Sequence, residues 1–165
     1  MEIRAVDISD AESIAEIRRQ DGVRDGVLAI SSERASFVRE LIASLCENDR
    51  GFVAVESGEV IAYAELRANK DECRAHSAVI KVMVESAFQQ RGVGSKLLSR
   101  LIEAADGELA LHRLELLVIT DNEQAIKLYK RFGFEVEATK RHAAVVNGRF
   151  ADEYLMGRIA KESAR

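Results

Sequence analysis

A glycine-containing turn between an apolar strand and a helix is the feature that most restricts how this chain can fold. Residues 76–86, HSAVIKVMVES, predict a strand, and good helix formers follow Gly92 and Gly94 as far as Ala105. A second apolar stretch at 113–120, RLELLVIT, predicts another strand. Strands that are joined through a helix run parallel. The segment 76–120 therefore predicts one parallel strand–helix–strand step.

The rest of the chain predicts antiparallel strands and flanking helices. A short strand is expected at 2–6, and hairpins are expected around Ser57-Gly58 and Asn147-Gly148, whose residue pairs favour tight turns. Further expected elements are a helix that begins at Ser9 and buries Ile14 and Ile17, a helix over about 33–46 with Phe37, Leu41 and Leu45 in register, and a helix at 121–132 that ends at Gly133.

This order of elements predicts an α+β fold with a mixed, mostly antiparallel central sheet flanked by helices. We see no linker, repeat or low-complexity tract, and we expect residues 1–165 to form one domain.

Composition excludes several classes of function. The net charge of −4 and the pI of about 5.5 argue against nucleic-acid binding. No apolar run reaches the ~20 residues needed to cross a bilayer. Cys46 and Cys73 are too few for a disulfide framework, and the N-terminus does not resemble a signal peptide, so a cytoplasmic protein is expected. The three histidines, His76, His112 and His142, show no metal-ligand spacing, so no metal is expected.

The glycine turn has two possible roles. Free backbone N–H groups at a helix N-terminus suit a phosphate, and Arg91 would add positive charge. Alternatively, the glycines only allow the helix to pack closely on the sheet. The Walker A pattern fails because the order is Gly94-Ser95-Lys96, and the dinucleotide fingerprint fails because Leu97 stands where a small residue is needed.

A second segment, TDNEQAIKLYKRFGFEVE at 120–137, predicts a helix with two notable polar residues. Asn122 and Tyr129 lie seven apart on one face, about 10 Å along the axis. Asn122 could simply cap the helix, and Tyr129 could be a core aromatic. If Thr120 forms a capping box with Glu123 instead, Asn122 is free for another role.

Together the two segments resemble the GCN5-related N-acetyltransferase (GNAT) family. Gln89-Gln90-Arg91-Gly92-Val93-Gly94 matches the family's pyrophosphate loop, and the segment from Asn122 to Phe134 matches its second motif. The resemblance extends to a bacterial subgroup with small, amino-acid-acetylating members. It implies that acetyl-CoA binds in a cleft between the strands at 76–86 and 113–120. The implied cofactor-binding residues are Val82, Met83, Val84, Gln89, Gln90, Arg91, Gly92, Val93, Gly94, Ser95, Asn122 and Tyr129.

The resemblance also implies direct attack of an amine on the acetyl thioester. Tyr129 is the implied acid for the departing thiolate, and main-chain N–H groups near Met83 and Val84 would polarise the carbonyl. No residue is identified by motif as the base. Glu65 is a candidate through water, although a solvated strand residue is the simpler interpretation. His76 and Glu115 are interpreted as structural.

We expect the acceptor site to form from the loop at 19–32 and the Asn147-Gly148 hairpin. These segments carry the basic residues Arg19, Arg24, Arg141, His142 and Arg149. Such residues could hold a substrate carboxylate, although each could equally be a solvated surface charge. The expected partner is a small-molecule amine such as an amino acid, with no nucleic acid or membrane and with a possible homodimer. Protein N-terminal acetylation and a non-catalytic acyl-CoA-binding module remain the alternatives.

Overall fold

The fold is a seven-stranded sheet with helices on both faces, described for residues 1–161 by a computed structural model. The strand order is β1-β2-β3-β4-β5-β7-β6. The strands are β1 (Glu2–Ala5), β2 (Arg50–Glu56), β3 (Glu59–Ala68), β4 (Ser77–Val84), β5 (Arg113–Ile119), β6 (Glu135–Val146) and β7 (Arg149–Ile159). The helices are α1 (Ala11–Arg19), α2 (Ala35–Ala43), α3 (Val93–Glu103) and α4 (Glu123–Arg131). The predicted α+β class is confirmed.

Both predicted hairpins form at the expected turns. Ser57 and Gly58 have φ angles of 53° and 87°, and Asn147 and Gly148 have φ angles of 50° and 74°. Two successive positive φ values are characteristic of the tight turn whose twist matches that of the flanking strands. The turns therefore fix the antiparallel registers of β2 with β3 and of β6 with β7.

The predicted parallel step joins β4 to β5, but the two strands pair only over their first residues. The register consists of Ser77 with Arg113, Ala78 with Leu114, and Val79 with Glu115. β4 continues to Val84 and β5 to Ile119, while each stays paired along its length with its antiparallel neighbour, β3 and β7 respectively. The sheet therefore opens between β4 and β5 toward their C-terminal ends.

Two apolar clusters pack on the two faces of the sheet. α3 and α4 cover one face, where Leu97, Leu98 and Leu101 pack with Ile126 and Phe134. α1 and α2 cover the other face. There the buried residues are Ile14, Ile17, Val38, Ile42, Tyr63 and Met83, among others. No helix within residues 1–161 is long and apolar enough to span a membrane.

Two expectations for the first helices are wrong in detail. A short 3-10 turn, Ile8–Asp10, precedes α1, and Asp7 caps this turn with a side chain that accepts from the backbone N–H of Ser9. A carboxylate offers a stronger acceptor than the serine hydroxyl. In α2 the buried residues are Val38 and Ile42, whereas Phe37 is 45% exposed. Both stripes have helical spacing, so the sequence pattern did not decide which one would face the sheet.

Candidate active site

A cleft of about 820 Å³ occupies the opening between β4 and β5, within the usual range for ligand pockets of ~300–1,000 Å³. Its walls come from the ends of both strands, the N-terminus of α3, the face of α4 and the loop after α1. The residues predicted to line it that do so are Val82, Met83, Val84, Gln89, Gln90, Gly92, Gly94, Ser95, Asn122 and Tyr129.

On the β4 side of the cleft, part of the strand backbone is not hydrogen-bonded to a neighbouring strand. Beyond Val79, β4 has no pairing partner on its β5 side. Backbone N–H and C=O groups of Lys81 to Val84 that point this way are left for solvent or a ligand. Such groups strongly favour an extended, amide-containing ligand that can pair as a strand would.

The N-terminus of α3 forms one end of the cleft. Gly92 is the N-cap, with a φ of 81° and open space where a side chain would begin. A Cβ on Gly94 would instead lie 3.3 Å from Leu128 Cδ2, so this glycine permits close packing of α3 on α4. Of the two roles weighed from sequence, close packing therefore applies to Gly94, whereas the open space at Gly92 leaves phosphate binding there a prediction. Two predicted neighbours lie off the cleft lining, because Val93 is buried and Arg91 is exposed with its guanidinium 5.2 Å from the Phe88 ring centroid.

Tyr129 lies on α4 and lines the cleft opposite β4. Its ring packs edge-on against Phe134, with centroids 5.8 Å apart. The residue is 7% exposed, yet its hydroxyl is accessible to solvent and has no hydrogen-bond partner within residues 1–161. Burial raises the pKa of the phenol to about 12. The hydroxyl therefore stays protonated at neutral pH and is available as a donor to a ligand.

Asn122, and not Thr120, caps α4. Its Oδ1 accepts from the backbone N–H of Ala125 at 3.2 Å, so of the two alternatives left open by the sequence the structure adopts the Asn122 cap and not the capping box of Thr120 with Glu123. The asparagine is two residues closer to the first turn than Thr120, which places its oxygen within reach of the free N–H groups. Only the amide nitrogen of Asn122 remains for a ligand, and it faces Gly26 across the cleft mouth.

Residues 20–28, the cover loop, close the remaining side of the cleft. The loop is fastened to the end of β4, where Ser86 Oγ donates to the carbonyl of Asp21 at 2.7 Å and Gln89 Nε2 donates to that of Gly22 at 3.3 Å. At its far side, Asn147 Nδ2 donates to Asp25 Oδ2 at 3.0 Å. The two segments expected to form the acceptor site are thus brought together.

Comparison with known families matches residues 3–155 to the acetyltransferase (GNAT) domain. The chain belongs to the GNAT family. This GNAT protein is therefore an N-acetyltransferase, and the non-catalytic module is set aside.

Curated relatives and solved structures agree with this assignment. The chain is 33% identical over 157 residues to the L-amino acid N-acetyltransferase AaaT of Escherichia coli, covering 95% of this chain and 96% of the relative. It is 31% identical to the N-alpha-acetyltransferase RimI of Mycobacterium tuberculosis, covering 94% and 90%. A structure of yncA from Salmonella typhimurium with its cofactor acetyl-CoA superposes with a TM-score of 0.88 at 26% identity, covering 100% of this chain and 96% of that one.

The basic residues proposed for the acceptor are mostly engaged or distant from the cleft of this GNAT enzyme. Arg24 lies in the cover loop but is paired with Asp21 at 3.0 Å. Arg19 donates to the carbonyl of Glu33 at 2.8 Å. Arg141, His142 and Arg149 are exposed on the β6–β7 hairpin, where the His142 ring stacks on Phe150 at 4.8 Å. None of the five belongs to the cleft lining.

Glu65 is neither solvated nor in the cleft lining. It is 5% exposed and accepts from the Tyr63 hydroxyl at 3.0 Å and from Arg67 Nη2 at 3.1 Å. The expectation of a solvated residue is wrong because α2 covers this part of β3, where Arg67 also donates to the carbonyl of Leu41. Of the other two residues, His76 is exposed and Glu115 accepts from Arg113 at 2.7 Å, which agrees with structural roles.

Three basic residues of α4 that were not singled out from sequence also line the cleft, namely Lys127, Lys130 and Arg131. Their helical spacing beside Tyr129 was a readable signal, because residues three and four apart share a helix face. Within residues 1–161 no group of three or more His, Cys, Asp or Glu side chains is arranged to hold a metal ion.

Proposed function

We propose that this enzyme transfers the acetyl group of acetyl-CoA to the primary amine of a small molecule, with a free amino acid as the favoured acceptor. The observation that carries the proposal is the opening of the sheet between β4 and β5, which joins unpaired β4 backbone, the α3 N-terminus and the Tyr129 hydroxyl in one cleft. The similarity to an L-amino acid N-acetyltransferase over 95% of the chain supports the amino-acid acceptor.

The cleft fits coenzyme A group by group. Backbone groups of Lys81 to Val84 match the amides of the pantetheine arm. The α3 N-terminus with Gly92 suits the pyrophosphate, because its backbone donors and helix dipole favour an anion. Lys127, Lys130 and Arg131 add positive charge for a phosphate at the α4 side.

In this proposal the chain's own groups stabilise the reaction at both ends of the scissile bond. Main-chain N–H near Met83 or Val84 donates to the thioester carbonyl oxygen as negative charge develops there. Tyr129 donates a hydrogen bond to the departing sulfur. Complete transfer of the phenol proton to a thiolate with a pKa of about 8.5 would cost about 5 kcal/mol, given a tyrosine pKa of about 12. Tyr129 therefore acts as a hydrogen-bond donor, and the proton that finally resides on sulfur comes from the amine.

The second candidate function is acetylation of protein N-termini, which the similarity to RimI favours. A peptide acceptor needs an open groove. The cover loop and the β6–β7 hairpin instead meet at Asp25 and Asn147 and narrow the acceptor side of the cleft. This contact favours a small acceptor.

A panel of acceptors tests the proposal, with release of the free CoA thiol as the readout. We expect turnover with one or more free amino acids and at least 10-fold lower kcat/KM with peptides that begin with the same residue. Turnover of peptides alone would replace the proposal with the N-terminal function. Acetyl-CoA binding without turnover of any primary amine would refute both.

A further inference from the structure

Glu153 is a buried carboxylate on the acceptor side of the sheet that has no ion-pair partner within residues 1–161. It lies on β7 and is 5% exposed. Within residues 1–161 it makes no side-chain hydrogen bond or ion pair, yet its oxygens are accessible to solvent. A largely buried carboxylate that has no cation beside it and still reaches solvent is available to a cationic group from outside the chain.

Strand alternation shows which way Glu153 points. Its neighbour Tyr154 packs against the α3–α4 cluster, so Glu153 points to the opposite face. On β5, Val118 belongs to the same α3–α4 cluster, so Leu117 points to the opposite face, together with Glu153. Met83 of β4 also points there, into the α1–α2 cluster.

The strand register places Glu153 beside the cleft. β5 and β7 pair Ile119 with Glu153 and Leu117 with Leu155. Leu117 and Glu153 are thus diagonal neighbours, roughly 7–8 Å apart between Cα atoms. Leu117 lines the cleft, as do Val23 and Val27 of the cover loop. Glu153 is not itself part of the cleft lining, but it lies diagonally beside Leu117 on the sheet face opposite Tyr129.

Three other carboxylates of this sheet face and the cover loop already have cationic partners. Glu65 is paired with Arg67 and Glu115 with Arg113. Asp25 accepts from Asn147 and lies 3.5 Å from Arg24. The residue opposite Glu153 on β6 is Lys140, which is exposed and lies beyond ion-pair distance. Glu153 has no such partner within residues 1–161, so it is available to a positively charged group from outside the chain.

We propose that Glu153 binds the ammonium group of the acceptor and takes its proton, an inference that rests on the function proposed above. The carboxylate accepts one proton from R–NH₃⁺, and the freed nitrogen lone pair forms the C–N bond to the acetyl carbon. The C–S bond breaks and its electron pair goes to sulfur, which Tyr129 stabilises. The second amine proton passes to sulfur, and the proton on Glu153 returns to solvent.

This assignment predicts that the acceptor is a primary amine that reaches Glu153 in its ammonium form. An α-amino group has a pKa of about 8 and a lysine-like amine one of about 10.4, so both are mainly protonated at neutral pH and need a base. Glu153 supplies that base from the face opposite the leaving group. The nucleophile and the thiol therefore use different faces of the opened sheet.

The test compares a primary alkylamine with the alkoxyamine of equal length in the Glu153→Gln variant. Alkoxyamines are already neutral at pH 7 and need no base. A positioned base contributes at least about 100-fold to rate. We expect kcat/KM of Glu153→Gln to fall by about that factor for the alkylamine and by less than about 5-fold for the alkoxyamine, with partial recovery in Glu153→Asp.

Two controls separate this role from a structural one. Lys140→Gln removes the facing charge and should leave both rates unchanged. Glu153→Gln should keep its affinity for acetyl-CoA and unfold at the same or a higher temperature, because it removes an unpaired buried charge. If kcat/KM of Glu153→Gln fell equally with both nucleophiles, or if Glu153→Gln and Lys140→Gln both unfolded at a lower temperature, the role of Glu153 would be refuted and the proposed function would stand. Failure of the parent to acetylate any amine would instead overturn the proposed function.

Discussion

Replacement of Tyr129 by phenylalanine is the most informative perturbation of the proposed chemistry. The hydroxyl has no partner within residues 1–161, so its removal leaves no protein donor or acceptor unpaired. The ring keeps its edge-on contact with Phe134 at 5.8 Å. We therefore expect the free energy of unfolding to change by less than about 0.5 kcal/mol.

The kinetic effect follows from the one hydrogen bond that the variant loses. A hydrogen bond to a charged group contributes about 1.5–3 kcal/mol, which corresponds to roughly 10- to 150-fold in rate. The bond forms only as charge develops on sulfur, so kcat should fall while KM for acetyl-CoA stays within about 2-fold. Steady-state assays of CoA thiol release with an accepted amine measure both constants.

Tyr63→Phe is the matched control. Tyr63 is also buried, but its hydroxyl donates to Glu65 at 3.0 Å and lies outside the cleft lining. Its removal should cost about 1–3 kcal/mol of stability and leave kcat unchanged. Parental turnover in Tyr129→Phe, or a similar loss of kcat in Tyr63→Phe, would show that Tyr129 is a packing residue and that another group stabilises the thiolate.

Three further predictions concern the cleft and the cap of α4. Gly92→Glu should abolish acetyl-CoA binding, measured by calorimetry, because it adds a negative charge at the phosphate position and about 1–2 kcal/mol of strain at a φ of 81°. Circular dichroism should show that the fold is retained, and unchanged affinity in the folded variant would remove the phosphate assignment. Burial raises the pKa of Tyr129 to about 12, so ionisation of this phenol should cause no loss of kcat up to about pH 10. Its contribution to the free energy of unfolding is present below pH ~10 and should be lost as the pH rises through 12. A fall in kcat near pH 9 that disappears in Tyr129→Phe would contradict this. Asn122→Ala should lower the free energy of unfolding by about 1 kcal/mol, because it removes the α4 cap, whereas Thr120→Ala should leave it unchanged. Chemical denaturation of the two variants decides which residue is the cap.

Local patterns in the sequence were sufficient to predict the helices and strands and most of the residues that line the cleft. The two hairpin turns followed from residue pairs that tolerate positive φ, and the parallel step followed from a strand, a helix and a strand in order. Motif positions identified the β4 backbone, Gly92 and Tyr129, and all of these line the cleft. These features depend on residues close together in the chain, so a linear reading captures them.

The sequence pattern did not predict the outcome where two or more local arrangements fitted it almost equally well. α2 offers two apolar stripes of helical spacing, and packing against the sheet selected Val38 and Ile42. α4 offers three capping side chains, those of Thr120, Asp121 and Asn122, and the exact entry of the chain selected Asn122. Differences of this size are set by the shape of the surrounding structure.

The sequence by itself determined the family, the order of the elements and most of the residues that line the cleft. Only the tertiary structure decided which charges are already satisfied. Glu65 and Glu153 are both buried carboxylates on strands, yet Arg67 neutralises the first while the second stands without a partner within residues 1–161. Burial and ion pairing are properties of groups that meet from distant parts of the chain, and for that reason a linear pattern does not distinguish the two carboxylates.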